Sequence, residues 1–349
     1  MKAILPEKVF GKAAVSWPVT AVVLQADTRS TRVPHLAITW PMRHKYRHLL
    51  CHAFRDREDP VAATISTPLT ERPPSCSDHG SLSMRIMSLN AWGGTLGDAL
   101  LPYLRAEQPD VLYLQEIPHS PATTKAWLEY RDGSHILPQR TNLFTEIASA
   151  MPEHLGTFHP AARGVLWNGE LQVPSMFSLA TFIRRSLPCV AQLQGFVHKR
   201  FSPHGYSDHP RARNAHIVRL YDVDADRMVV VAQMHGLRDL RGKMDTPERL
   251  AQAHRLTEMV SAIAEPGDTL VVCGNFNVEP GRETFAVLGA LGLTELVTAR
   301  GFPGTRTASY TKPGRFADYL LVNRPEAVRS FAVVMDPEVS DHCPLLLEI

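Results

Sequence analysis

The hydrophobic and polar positions of this chain form a regular pattern from Met84 to the C-terminus. Residues 269–273 (TLVVC) are largely apolar and mostly branched, which predicts a strand buried on both faces. Predicted strands lie at residues 84–89, 111–115, 177–183, 216–221, 228–234, 269–273, 318–322, 331–334 and 345–348, and predicted helices lie at residues 97–107, 140–151, 246–264 and 283–291. This alternation without a long linker predicts one α/β domain over residues 84–349.

Residues 1–83 differ from the rest of the chain. Proline, serine and threonine cluster at residues 66–83, and neither a helix period nor a strand period is sustained. Such a composition is typical of segments that cannot bury a core, so we predict a disordered or poorly structured leader over residues 1–83. We hypothesise that this leader is dispensable, or that it results from an upstream start codon, because Met84 opens the first patterned segment.

The composition is that of an ordinary globular protein, since 44% of the 349 residues are hydrophobic and 21% are charged. No apolar run reaches the length of about 18 residues that a membrane-spanning helix needs, so we predict no transmembrane segment. The net charge is +2, but residues 1–83 hold 11 of the 37 basic and 7 of the 35 acidic residues. The predicted domain is therefore slightly acidic, which argues against a non-specific binder of duplex DNA but is compatible with a local basic groove.

The five cysteines are widely spaced, and none forms a CxxC motif. This pattern is typical of buried, unpaired thiols in a reducing compartment rather than of a disulfide framework or a zinc site. We therefore predict a cytoplasmic protein, and we expect it to be a monomer.

Polar residues that can bind a metal ion or a phosphate group stand where predicted strands end. They are Asn90, Gln115, Glu116, His235, Asn275 and Asn277, with Asp318, Asp341 and His342 in two further motifs near the C-terminus. A carboxylate with amide oxygens suits a hard cation such as Mg²⁺, and histidine can donate to phosphate or exchange a proton. Taken singly, each residue has an ordinary interpretation as a turn residue or a core residue. Their repetition in chain order favours one shared site.

The motifs that contain these residues resemble those of the endonuclease/exonuclease/phosphatase superfamily, which includes deoxyribonuclease I. The matching motifs are LNAW at 89–92, LQE at 114–116, HG at 235–236, GNFN at 274–277, ADY at 317–319 and SDH at 340–342. Residues 235–252 resemble a bacterial branch of this superfamily. The resemblance covers the predicted domain and implies a four-layer α/β sandwich, in which two packed mixed β-sheets are flanked by helices and the site lies at one edge.

The resemblance also implies a role for each motif residue. Glu116 is expected to be the main carboxylate ligand of Mg²⁺, with Mn²⁺ as an alternative ion. Asn90 is expected to assist Glu116, and Asp341 is expected to lie beside the metal.

The remaining motif residues are expected to act on the phosphate group. By the same resemblance, His235 and Asn277 hold the scissile phosphate. His342 stabilises the charge that develops on the phosphorus oxygens, and Asp318 orients the ring of His342. This assignment agrees with the general chemistry of phosphoryl transfer, in which positioning and charge neutralisation provide most of the catalysis.

One position departs from the family pattern, because Asn275 stands where the family usually has an aspartate that deprotonates the attacking water. A carboxamide can hydrogen-bond water but cannot take its proton. Asp341 or a metal-bound hydroxide could replace the missing base. Two hypotheses follow: a metal-dependent hydrolase of phosphate esters (a phosphodiesterase, nuclease or phosphatase), or a degenerate family member that binds a phosphorylated ligand or partner without turnover.

Residues 198–214 contain a candidate substrate-binding loop. Arg211 and Arg213 lie near Tyr206 and His209, and their guanidinium groups could bind phosphate. A solvated basic loop explains the same residues equally well. The pattern leaves open whether the substrate is a nucleic acid, a nucleotide, an inositol phosphate or a phospholipid, and whether a phosphomonoester or a phosphodiester is cut.

Overall fold

The structure is a computed structural model that describes residues 83–349. The predicted leader therefore lies outside the described residues except for Ser83, and its character stays a prediction. The strands are β1 (Arg85–Asn90), β2 (Val111–His119), β3 (Trp127–Asp132), β4 (His135–Arg140), β5 (His154–Asn168), β6 (Leu171–Arg184), β7 (Cys189–His198), β8 (Arg213–Asp222), β9 (Arg227–His235), β10 (Thr269–Asn275), β11 (Thr294–Glu295), β12 (Asp318–Val322), β13 (Ser330–Val333) and β14 (Leu345–Glu348). The helices are α1 (Gly97–Glu107), α2 (Leu143–Ala150), α3 (Pro247–Ser261), α4 (Glu283–Gly289) and α5 (Leu296–Ala299), with 3₁₀ turns at Trp92–Gly94 and Pro325–Ala327.

The strands form two mixed sheets. The first sheet has eight strands in the order β13-β14-β1-β2-β6-β5-β3-β4, and the second has six in the order β11-β12-β10-β9-β8-β7. Each sheet contains one parallel pair, β1 with β2 in the first sheet and β9 with β10 in the second, and its other neighbours are antiparallel. Parallel neighbours need a crossover connection, and helix α1 and helix α3 provide these two crossovers.

Helices cover the outer face of each sheet. On the first sheet, Leu100 and Leu104 of α1 share a buried cluster with Leu112 and Leu114 of β2. On the second sheet, Met259 of α3 lies close against the backbone of β7. The two inner faces pack against each other, and one buried cluster contains Tyr113 of β2 and Val231 of β9. The expected four-layer α/β sandwich is therefore confirmed.

The local sequence determines where helix α3 begins. Thr246 is its N-cap and accepts a hydrogen bond from the backbone N–H of Arg249, and Pro247 occupies the first helical position. A side-chain oxygen at the cap satisfies a free amide, and proline loses nothing there because that N–H has no helical partner. The predicted start of this helix is thus observed, and the helix ends at Ser261, three residues before its predicted end.

Polar contacts cross between the sheets as well. Tyr113 of β2 donates its hydroxyl to the carbonyl oxygen of Val231 at 2.7 Å. His159 of β5 and His216 of β8 are both buried, and their rings stack with centroids 3.9 Å apart. Thr181 bonds Nδ1 of His216 at 2.8 Å. These contacts fix one sheet against the other near the strands that carry the predicted site residues.

The strand register brings the predicted site residues to one edge. Asn90 of β1 stands opposite Gln115 of β2, and Asn275 of β10 stands opposite both His235 of β9 and Asp318 of β12. Because the carboxyl ends of parallel strands meet at the same edge of a sheet, these polar side chains are collected there.

Within residues 83–349, no helix has the length and apolarity required to span a membrane. The three cysteines in this part of the chain are unpaired thiols, and Cys273 and Cys343 are buried as expected. Cys189 is exposed, so the expectation of a buried thiol is wrong for this residue. It opens the edge strand β7, where one face meets solvent.

Candidate active site

Glu116 lies at a bulge inside β2 rather than at the end of the strand. The pairing of β2 with β6 shifts register between Leu114 and Ile117, and the strand continues to His119. Glu116 itself has φ = +59°, a left-handed conformation that a non-glycine residue adopts only when its surroundings impose it. The prediction that this strand ends at Glu116 is therefore wrong. A bulge re-aims a side chain locally, and here it leaves the Glu116 carboxylate 25% exposed at the site edge.

The carboxylate of Glu116 meets a histidine from the other sheet. Oε1 of Glu116 lies 3.7 Å from Nε2 of His235, which is buried. Burial, reinforced by the positive charge of Arg213, lowers the pKa of His235 well below its ordinary value. The imidazole of His235 is therefore neutral at neutral pH and can donate one hydrogen bond to an oxygen atom.

Arg213 supports the chain directly after His235. Its Nε donates to the carbonyl oxygen of Gly236 at 2.9 Å, and burial lowers its pKa to about 10, although the nearby Glu116 acts in the opposite direction. A side chain on Gly236 would clash with the backbone of Phe276, so only glycine allows this close approach. The predicted substrate-binding residue Arg213 thus lies beside the site. Its side-chain bond to the carbonyl oxygen of Gly236 stabilises the turn after His235.

Arg211, the other predicted substrate-binding residue, is placed differently. Its guanidinium donates to the Tyr130 hydroxyl at 2.6 Å and to Asp132 at 3.0 Å, and it lies between the rings of Tyr130 and Tyr206. These contacts connect the hairpin of β3 and β4 to the loop before β8. The guanidinium of Arg211 therefore bonds to two side chains of β3 and lies away from the Glu116–His235 contact.

A turn at the end of β10 contains Asn275 and Asn277 and is stabilised by hydrogen bonds of their side chains. Oδ1 of Asn275 accepts a hydrogen bond from the backbone N–H of Asn277 at 3.0 Å, and Nδ2 of Asn277 donates to the carbonyl oxygen of Gly236 at 3.2 Å. Gly274 precedes them with φ = +129°, and a side chain there would clash with the carbonyl oxygen of Met234. Asn275 is thus held by its oxygen atom, a bond that an aspartate would also make.

His342 and Asp318 form a buried pair. Nδ1 of His342 donates to Oδ2 of Asp318 at 2.6 Å, and the backbone N–H of His342 donates to Oγ of Ser340 at 3.2 Å. A carboxylate on Nδ1 fixes the ring and leaves Nε2 directed to the other side. The predicted orienting role of Asp318 is compatible with this geometry.

Asp341 has one oxygen engaged and one free. Oδ2 accepts from Nη1 of Arg306 at 2.8 Å. Oδ1 has no hydrogen-bond partner among residues 83–349 and lies 3.7 Å from Nε2 of His342. Burial raises the pKa of Asp341, while His342 and Arg306 act in the opposite direction. The predicted metal neighbour therefore has an arginine partner that the motif analysis did not foresee.

Asn90 is anchored from two directions. Its Oδ1 accepts from the backbone N–H of Trp92 at 3.0 Å, and its carbonyl oxygen accepts from the hydroxyl of Ser340 at 2.7 Å. Its side-chain nitrogen is buried without a hydrogen-bond partner. A buried N–H donor normally has an acceptor, so the geometry is consistent with an acceptor atom of a bound group beside Asn90.

The side-chain oxygens at this edge are of the chemical type that hard cations prefer. Residues 83–349 contain no group of three or more histidine, cysteine, aspartate or glutamate side chains arranged around one metal position. The oxygen donors at this edge are Glu116, Asp341 and the amide oxygen of Asn90, which also accepts the Trp92 N–H. Mg²⁺ commonly takes one or two carboxylates and keeps several waters, whereas zinc requires a fuller set of protein ligands.

Two further groups of residues take part that the motif analysis did not assign to the site. Gln252 of α3 accepts the backbone N–H of Leu237 at 2.9 Å, and Arg249 donates to carbonyl oxygens of the same loop, including that of Gly242 at 2.8 Å. These side chains hold the loop after His235. The second group is Arg306 with its neighbours, which lie in a loop without any hydrophobic period.

Two mixed sheets between helices, with polar residues of both sheets at one edge, define a deoxyribonuclease I-like α/β sandwich. Residues 87–342 match the sequence profile of the Endonuclease/Exonuclease/phosphatase family, and the chain belongs to this family. A comparison with curated protein sequences gives no match.

Solved structures with the same fold include several enzymes. The human Nocturnin catalytic domain with bound sulfate anion is 21% identical with a TM-score of 0.51, over 76% of this chain and 92% of that chain. A mannosyl-6-phosphatase from Bacteroides thetaiotaomicron is 14% identical with a TM-score of 0.53, over 76% and 99%. D. rerio TDP2 complexed with a single-strand DNA product is 16% identical with a TM-score of 0.50, over 76% and 98%. At these identities the likeness shows the shared fold alone.

Proposed function

We propose that this chain is a Mg²⁺-dependent hydrolase of phosphate esters, with Mn²⁺ as an alternative ion. Water attacks phosphorus, the bond to the ester oxygen breaks, and the alcohol leaves. The observation that carries the proposal is a pair of contacts at one edge of the sandwich. Glu116 lies 3.7 Å from His235, and Asp318 lies 2.6 Å from His342. Two imidazoles and a partly exposed carboxylate there can act on a single phosphate group.

In this proposal Glu116 and Asn90 bind the metal ion, and Asp341 lies beside it with Oδ1 free to accept a proton. Bound there, the ion would supply positive charge to the phosphoryl oxygens and lower the pKa of a coordinated water. The protein holds these donors in position in advance, through the bulge at Glu116 and through the Trp92 and Ser340 bonds to Asn90.

His235, His342 and Asn277 bind the phosphate group. His235 is neutral, so it offers an N–H without adding a charge that must be desolvated. Asp318 fixes the ring of His342 and stabilises positive charge on it as negative charge grows on the phosphoryl oxygens. The amide of Asn277 donates one N–H to Gly236 and has a second one available for the substrate.

Asn275 orients the attacking water in this proposal, and another group takes the proton. Its carboxamide cannot act as a base. Oδ1 of Asp341 is the candidate acceptor, because it has no hydrogen-bond partner and lies 3.7 Å from Nε2 of His342. The substrate class stays open among nucleic acids, nucleotides, inositol phosphates and phospholipids, and we further propose that the protein acts as a cytoplasmic monomer.

The second candidate function is binding of a phosphorylated ligand or partner without turnover. The specific observation in its favour is Asn275, whose side chain performs a structural role in the turn without providing a base. The two functions differ in one measurable property, which is metal-dependent release of product.

The test is a substrate screen on the full chain with Mg²⁺, Mn²⁺ or EDTA. The panel contains p-nitrophenyl phosphate, bis(p-nitrophenyl) phosphate, a single-stranded DNA oligonucleotide, an inositol polyphosphate and sphingomyelin vesicles. We expect release with Mg²⁺ or Mn²⁺ from at least one of them and none with EDTA. Glu258 on the exposed face of α3 provides the control, since Glu258→Gln should retain activity that Glu116→Gln loses. Absence of metal-dependent release across the panel, with a phosphorylated compound still raising the melting temperature, would favour the binding function.

A further inference from the structure

Arg306 is a buried arginine inside the site that none of the motifs contains. Its side chain is only 7% exposed. Nη1 donates to Oδ2 of Asp341 at 2.8 Å, and the guanidinium carbon lies 4.1 Å from the ring centroid of Tyr310. Arg306 therefore lies beside Asp341, and its backbone adjoins that of His342.

The loop that carries Arg306 is fixed on both sides by the site itself. Oγ1 of Thr305 accepts the backbone N–H of Asp318 at 3.1 Å. Oγ1 of Thr307 donates to the carbonyl oxygen of Ser340 at 2.7 Å. The backbone of Arg306 forms a bridge with that of His342. The guanidinium is consequently held in place before any ligand arrives, as charge-stabilising groups in active sites are.

Within residues 83–349, most hydrogen-bond donors of Arg306 have no protein partner. A guanidinium has five N–H groups, and among these residues the side chain of Arg306 forms one hydrogen bond, from Nη1 to Asp341. Its Nε is buried and has no partner in the same part of the chain. Burying a cation with unsatisfied donors costs free energy unless a ligand completes the set, and a tetrahedral oxyanion offers several oxygens at once.

A purely structural role for Arg306 would be to neutralise Asp341. Arginine and carboxylate commonly pair through two parallel bonds when the pair itself is the purpose. Here the pair has one bond, and Oδ1 of Asp341 is left free. The arrangement is therefore better suited to an arginine that shares its donors between Asp341 and a further group.

We propose that Arg306 is a catalytic residue that binds the scissile phosphate of the substrate through its free N–H groups while its remaining bond holds Asp341. The proposal rests on the phosphoesterase function proposed above. It assigns the site a fixed positive charge next to His342. An aspartate at position 275 would add a negative charge near Arg306. Asn275 is neutral, so the positive charge of Arg306 is less compensated.

The experiment is a double-mutant cycle on the full chain with Arg306→Met, Asp341→Asn and the combination of the two. The first readout is the rise in melting temperature caused by inorganic phosphate, which needs no turnover. The second is kcat and KM for bis(p-nitrophenyl) phosphate, or for whichever panel substrate the wild type cleaves. Arg255→Met is the matched control, because Arg255 is an exposed arginine on α3 that pairs with Glu258.

We expect Arg306→Met to abolish the phosphate-dependent rise and to lower kcat/KM by about 10²–10³-fold. The fold-loss of kcat/KM from Asp341→Asn to the double variant should be about equal to the fold-loss from the wild type to Arg306→Met. If the double variant equals Asp341→Asn in both readouts, Arg306 serves only to neutralise Asp341, and the proposal is overturned. Arg306→Lys keeps the charge without the planar donor set, so we expect a partial loss. Should Arg306→Met fail to fold because Asp341 is left unpaired, the double variant and Arg306→Lys decide the question.

Failure of the proposed function can be told apart from failure of this inference. If the wild type cleaves no substrate in the panel, the hydrolase function is refuted, and the phosphate readout alone decides the role of Arg306. Phosphate protection that is present in Asp341→Asn and absent from the double variant would support it. Equal protection in those two variants, or no protection of the wild type, would refute it.

Discussion

The Nδ1 atom of His342 lies 2.6 Å from Oδ2 of Asp318, and both side chains are buried. We expect His342→Ala to lower kcat by about 10²–10³-fold with a much smaller change in KM, because in the proposed mechanism this ring stabilises charge that develops in the transition state. Asp318→Asn should reproduce part of this loss, since it weakens the hold on the same ring. Steady-state kinetics on the cleaved substrate provide the measurement, with His254→Ala on the exposed face of α3 as the control. If His342→Ala changes only KM, then His342 contacts the bound substrate without stabilising the transition state, and the prediction is wrong.

Glu116→Gln should abolish metal-dependent activity while the protein remains folded. The side chain is partly exposed at a bulge and contributes little to the core, whereas loss of its charge weakens a hard-cation site. Thermal unfolding with and without Mg²⁺ measures the effect independently of turnover. We expect Mg²⁺ to raise the melting temperature of the wild type and of Glu258→Gln but not that of Glu116→Gln. Equal protection of all three proteins would refute the assignment of Glu116 as a metal ligand.

Asn275→Asp should make a hydrolase faster. The oxygen of Asn275 that accepts the Asn277 N–H is retained in aspartate, so the turn should persist, and a proton acceptor is added. A positioned base contributes about 10²–10⁴-fold, and we expect a gain near the lower end because the site has adapted to an amide. The measurement is kcat/KM against pH at saturating Mg²⁺, where the variant should show an additional acidic limb.

The control for this variant is Asn323→Asp. Asn323 accepts the backbone N–H of Leu270 at 2.7 Å, which is a comparable bond at the opposite end of β10. This change should leave turnover per folded molecule unaltered. An Asn275→Asp variant that is no faster than the wild type at any pH would place the base elsewhere, with Asp341 the first candidate.

The stacked histidines between the sheets should make stability depend on pH. Burial, with His159 alongside, lowers the pKa of His216 to about 3, and burial also lowers the pKa of His159. The ordinary value of about 6.5 applies to the unfolded chain. The unfolded state therefore binds more protons below pH 6.5. The contribution to stability is complete above that pH and is lost progressively as the pH falls toward 3.

For His216 we expect a loss of about 1–2 kcal/mol in unfolding free energy between pH 7 and pH 5. Urea unfolding at several pH values measures it. His216→Gln should flatten this dependence, whereas His254→Gln at an exposed position of α3 should not. A His216→Gln variant with the same pH slope as the wild type would contradict the prediction.

Much of the fold was predictable because its central elements are strongly patterned. Helix α1 and strands β12 and β14 have the predicted bounds, since each combines a clear period with nearly complete burial of one or both faces. Strands β3, β4, β5, β7 and β11 were not predicted. Strands β4 and β7 are sheet edges with many exposed residues, and β4 and β5 contain Pro138 and Pro160, which argue against a strand in a sequence taken alone.

From the hydrophobic pattern alone, the site was predictable where it coincides with strand ends, and the family motifs added residues such as Asp341 and His342 that lie outside strands. Asn90, His235 and Asn275 come directly after apolar runs. Their proximity was predictable because the carboxyl ends of parallel strands lie at the same edge of a sheet. The bulge at Glu116 left no signal, because one extra residue in a strand does not change its composition. Arg306 was missed because its partner Asp341 is 35 residues away, and no local period connects them.

Strand β14 pairs with β1 along Arg85–Ser88, and His342 precedes β14 by three residues. Strand β1 is the first strand of the domain to leave the ribosome, and its two neighbours are β2 and β14. It can therefore pair on both sides only after β14, the last strand, has been synthesised. Until then the nascent chain lacks His342 and the bond from Ser340 that anchors Asn90. Under the proposed function, we therefore expect no hydrolase activity from the nascent chain before residue 342 is added, and none from a product truncated before that residue.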